Sequence, residues 1–75
     1  MRTLYFTVDK ELEEIDNGLF DATGNKSINL YEIIDNKPKM VYTIETTLEN
    51  STIAEISEWL EDNGDEELKR DIQEL

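Results

Sequence analysis

The hydrophobic period of this chain changes once, at Asn50, and that change limits what it can fold into. Before Asn50 apolar residues recur at every second position; after it they recur at every third and fourth. Alternation suits a strand with one buried face, and the longer period suits an amphipathic helix. Leu4, Phe6 and Val8 alternate with Tyr5 and Thr7, so residues 3–8 read as a strand. Residues 27–34 are strand-like, with Ile28, Leu30, Tyr31, Ile33 and Ile34. Residues 40–48 give the clearest alternation: Met40, Tyr42, Ile44, Thr46 and Leu48 on one face, Val41, Thr43, Glu45 and Thr47 on the other. The polar stretch 35–39 holds the single proline, Pro38, and is expected to turn the chain so that 28–34 and 40–48 pair antiparallel. Thr23-Gly24-Asn25-Lys26 reads as another turn.

Residues 9–16 admit two readings. Asp9 can cap a short helix with Leu12 and Ile15 on one side. Alternatively Asn17-Gly18, the strongest two-residue hairpin signal, pairs residues near 12–15 with 19–23. The extended reading is preferred, with the helix kept open.

Thr52-Ile53-Ala54-Glu55 fits a capping box, in which hydroxyl and carboxylate satisfy orphan backbone donors reciprocally. Ile53, Ile56, Trp59 and Leu60 then share one helical face. Trp59 lies within that stripe, where core packing is the commoner fate than partner contact. Asn63-Gly64 suits a helix stop, because glycine accepts the left-handed conformation needed there. Asp65-Glu66-Glu67 opens a second helix with acids in its favourable first turn, and Leu68, Ile72 and Leu75 form its stripe. Asp65–Lys69 and Glu66–Arg70 add i,i+4 pairs. The expectation is an α+β fold: a small antiparallel sheet of three to four strands followed by two C-terminal helices packed on one face. The whole chain, 1–75, is read as a single domain, with hairpins over 1–48 and a helical pair over 52–75.

Size and charge narrow the function classes. A chain of 75 residues builds one small core, with roughly 3–5 kcal/mol of stability. With no cysteine there is no disulfide or thiolate chemistry. Nucleophilic triads need His or Cys, and the chain has neither. The three glycines are isolated, so no phosphate loop is present. Paired carboxylates are too abundant to single out a catalytic pair, which needs a cleft to shift one pKa. No catalytic residue, cofactor or metal is assigned. The window 21–32 places oxygens at Asp21, Thr23, Asn25, Ser27, Asn29 and Glu32, the ligand positions of a calcium loop. Lys26 stands where that loop requires glycine, and the flanks read as strands. The start of the chain shows no secretion signal and no apolar run reaches membrane length, so the expected location is cytoplasmic.

Nineteen acids against seven bases leave a formal net charge of −12. That charge repels nucleic acid and anionic membranes and attracts basic protein surfaces. After Asn50 nine acids face only Lys69 and Arg70. Glu55, Glu58 and Asp62 fall on one helical face, with Glu61, Asp65, Glu66 and Glu67 nearby. Glu55 and Asp62 stand roughly 10 Å apart along the axis, on a scale comparable with phosphates that advance about 3.4 Å per residue along a DNA strand. A solvated, solubilising helix face is the plain alternative, though it would normally carry both signs of charge. In size, charge and α+β character the whole chain resembles small acidic inhibitor proteins of phages and mobile elements. These mimic DNA to block restriction enzymes, repair glycosylases or CRISPR nucleases. The resemblance implies a host nucleic-acid-binding protein as partner and assigns no residue; the charge distribution itself offers Glu55, Glu58, Glu61, Asp62, Asp65, Glu66 and Glu67 as the contact set. The alternative is an assembly module that self-associates as a homodimer through its sheet, with Tyr31, Ile33 and Val41 at the interface.

Overall fold

A computed structural model of the chain describes residues 3–63 and 72–75. Three long strands come first: β1 (Leu4–Asp16), β2 (Leu19–Ile34) and β3 (Lys37–Thr47). A single helix, α1 (Thr52–Asp62), and a two-residue strand, β4 (Gln73–Glu74), complete the described elements. The sheet order is β3-β2-β1-β4. β1 and β3 pair antiparallel with β2, while β4 pairs parallel with β1.

The expected pair of C-terminal helices is therefore corrected: among the described residues there is one helix, and residues 73–74 are a strand. Gln73 and Glu74 lie opposite Tyr5 and Phe6, and the Leu75 amide donates to the Phe6 carbonyl at 2.9 Å. The outer edge of β1 carries backbone groups that need partners, and the chain end supplies them. Ile72 meanwhile packs against the core, and Leu75 is exposed. The stripe assigned to Leu68, Ile72 and Leu75 therefore does not run to the chain end on one helix. Leu68 and the expected Asp65–Lys69 and Glu66–Arg70 pairs lie outside the described residues.

The core is one cluster of five fully buried side chains: Leu4, Ile28, Leu30, Ile56 and Leu60. Phe6, Ile44, Trp59 and Ile72 pack around it. In the antiparallel register Phe6 faces Leu30, and Leu30 faces Tyr42; Val8 faces Ile28, and Ile28 faces Ile44. These rows form the covered face, and Ile56 and Leu60 of α1 close it. Each fully buried side chain contributes roughly 1.5–3 kcal/mol relative to exposure.

Both long hairpins form, with local corrections. Residues 9–16 are extended, and Leu12 pairs with Ala22 across the Asn17-Gly18 turn. The turn expected over 35–39 narrows to Asp35-Asn36, and Pro38 lies past it. Both its residues have left-handed φ (54° and 65°), as a tight strand-matched turn requires. Pro38 is inside β3, an edge strand, where a missing amide is tolerated. The register shifts between Leu30 and Tyr31, so that Val41 is an extra residue on β3. That bulge sends Met40 to the opposite face from Tyr42 and Ile44, breaking the predicted five-residue row. Thr23-Gly24-Asn25-Lys26 does not reverse the chain. It lies within β2, at a register break where Gly24 has φ of 95°.

Candidate functional site

The acidic helix face is built from its N-terminus. Ser51, not Thr52, is the N-cap, and its hydroxyl accepts from the Ala54 amide at 3.3 Å. The third helical position is then Ala54, so the expected capping box does not form. Thr52 is engaged elsewhere: its hydroxyl accepts from the Lys26 ammonium at 3.2 Å, which also donates to the Asn50 carbonyl at 2.5 Å. Lys26 is the one buried charged residue among those described. It fastens the start of α1 to the middle of β2.

With Ile56 and Leu60 turned into the core, about 100° per residue places Glu55, Glu58, Glu61 and Asp62 on an outward arc. Glu58, Glu61 and Asp62 are exposed and Glu55 is half-buried. No Lys or Arg occurs between Ser51 and Asn63. Four of the seven expected contact residues are thus brought together; Asp65, Glu66 and Glu67 lie outside the described residues. Trp59 is half-buried and stacks on Tyr42, with ring centroids 5.2 Å apart at 26°. Its packing against the core agrees with a structural role. Ile53 departs from the expected stripe and is 52% exposed.

The uncovered face of the sheet has two zones. At its centre Asn29 Nδ2 donates to Thr7 Oγ1 and Asp9 Oδ2, and Thr43 Oγ1 donates to Asn29 Oδ1 at 3.1 Å. Toward the Asp35-Asn36 turn the face becomes apolar, with Tyr5 opposite Tyr31 and Tyr31 opposite Met40. Of the self-association candidates, Tyr31 is half-buried and Ile33 and Val41 are exposed. The oxygen-bearing window 21–32 is extended within β2, so its side chains run along a line and do not close around a point.

A feature with no place in the sequence reading lies at the other end. β3 stops at Thr47, opposite Asn25, where the Leu48 amide donates to the Gly24 carbonyl at 2.8 Å. Beyond that point, among the described residues, β1 and β2 pair only with each other and leave the body as a two-stranded arm. Leu12, Ile15, Leu19 and Phe20 on this arm are 58–61% exposed. Glu11, Glu13, Glu14, Asp16 and Asp21 accompany them without a base. The base of the arm is pinned where Thr23 Oγ1 donates to Glu11 Oε2 at 2.9 Å. The Asn17-Gly18 signal indicated the hairpin; nothing in the local pattern showed that no third strand would cover it.

Among the described residues no three acids converge as a metal site, and no helix is long and apolar enough to cross a membrane. Comparison with protein-family models, with curated proteins and with solved structures gave no match.

Proposed function

We propose that this chain is an acidic protein-binding module that acts by occupying a basic surface of another protein, without catalysis. The observation that carries this reading is the outward arc of α1. Glu55, Glu58, Glu61 and Asp62 stand together on a helix whose opposite face is held by the core, with no base interspersed. Clustered like charge costs stability in a small domain, and a complementary partner offsets that cost on binding. A basic groove of a nucleic-acid-binding protein has the matching chemistry, which places the partner's phosphate sites opposite carboxylates.

The test is capture from a lysate of the source organism at low salt, followed by elution with duplex DNA. The expected outcome is a basic protein that DNA displaces and that a Glu55→Lys, Glu58→Lys, Asp62→Lys variant no longer retains. Retention that ignores both added DNA and the triple charge reversal refutes the reading.

A further inference from the structure

The exposed apolar side chains are not scattered. Of twelve large hydrophobic residues open to solvent among those described, eight lie at the two ends of the molecule's long axis. Four are on the arm. The other four, Ile33, Ile34, Met40 and Val41, flank the Asp35-Asn36 turn. β2 runs the whole distance between them: its 16 residues at about 3.3 Å each span roughly 50 Å. The longest dimension of the chain is 47 Å.

The two ends differ in charge. The arm carries five exposed carboxylates between residues 11 and 21 and no base. The turn end carries exposed Lys37 and Lys39 against Asp35. Glu32 stands opposite Lys39 across the hairpin, so residues 32–41 balance to no net charge in a chain of −12. The turn end is therefore neutral and presents two exposed lysines where the arm presents only carboxylates, and each end carries an apolar patch of the kind that marks association surfaces.

We infer that two copies of this chain form a closed pair, the acidic arm of each docking on the Lys37 and Lys39 end of the other. A two-fold axis perpendicular to the long axis makes both contacts at once and leaves neither end open, so assembly stops at two. Stable pairs need roughly 800 Å² per partner, which favours engaging both ends together. Arm against arm sets five carboxylates against five, and nucleic acid or an anionic membrane meets the same repulsion. The pair leaves the outward arc of α1 unused, so this inference stands or falls separately from binding of a basic partner.

The experiment is light scattering on size-exclusion fractions over a concentration series, at moderate salt. The wild type is expected to weigh as a dimer. Glu13→Lys with Glu14→Lys, and separately Lys37→Glu with Lys39→Glu, are each expected to raise the dissociation constant by about tenfold or more. Mixing the two variants restores one complementary contact and is expected to recover dimer mass that neither shows alone. Circular dichroism of each variant confirms that it is folded. A wild type that stays monomeric, assemblies that keep growing with concentration, or folded variants that fail to recover dimer mass on mixing each overturn the inference.

Discussion

β1 and β2 are each continuous strands, yet their two halves live under different conditions. In the body, Leu4, Ile28 and Leu30 lie beneath α1 and are fully buried. In the arm, Leu12, Leu19 and Phe20 are no less hydrophobic and remain more than half exposed. What separates them is coverage: β3 and α1 accompany the first half and stop short of the second. Hydrophobicity supplies the tendency to bury a side chain, and topology decides whether anything arrives to bury it against. The boundary is local, at the register break between Lys10 and Leu12, with Gly24 opposite.

The sharpest way to break this comparison is to truncate one side chain from each half. Ile56→Ala or Leu60→Ala removes atoms from the sealed core and is expected to destabilise by about 2–5 kcal/mol, enough to leave so small a domain largely unfolded. Leu12→Ala is expected to stay within about 0.5 kcal/mol. Urea denaturation followed by Trp59 fluorescence reads both; equal losses would mean that the arm is part of the core.

Gly24→Ala probes the boundary itself. A φ of 95° is strained for any residue with a side chain, although nothing lies within 4 Å of the added Cβ. The expected cost is about 1 kcal/mol or more, from backbone strain alone. A neutral result in the same denaturation experiment would show that the bend relaxes without glycine.

A last variant separates the halves by cooperativity. Ser51→Ala removes the N-cap of α1 and is expected to cost about 1 kcal/mol. Amides of Ile28 and Leu30 should then exchange with solvent about fivefold faster. Amides of residues 13–20 open locally and should exchange at unchanged rates. Matched acceleration in both halves would join them into one unfolding unit.

Short-range signals were legible in the sequence wherever neighbours along the chain decide the outcome. Asn17-Gly18 marks its hairpin, the alternation over 40–48 marks a strand, and Ile56 and Leu60 mark the buried stripe of α1. What escaped depends on distant partners. The capping box at Thr52 is a correct local pattern, but Lys26, 26 residues away, engages the Thr52 hydroxyl and the cap falls to Ser51. The bulge at Val41 comes from a register set across two strands, so simple alternation misplaces Met40. β4 forms because the edge of β1 is open, a fact absent from residues 72–75 themselves. At the candidate site the carboxylates of α1 were readable from spacing; the arm was not, because exposure is a statement about missing neighbours.

The Asn29 cluster has a consequence for how sequences of this kind can diverge. Its amide spans Thr7 on one strand and Thr43 on another, using donor and acceptor ends at once. Asp9 takes a second bond from the same amide, so replacing any one of the four residues leaves a neighbour on this half-covered face without its partner, while replacing all four together with apolar residues leaves none. Substitution at these positions is therefore coupled. In related chains they should change as a set, and an alignment would register positions 7, 9, 29 and 43 as correlated before any coordinates were known.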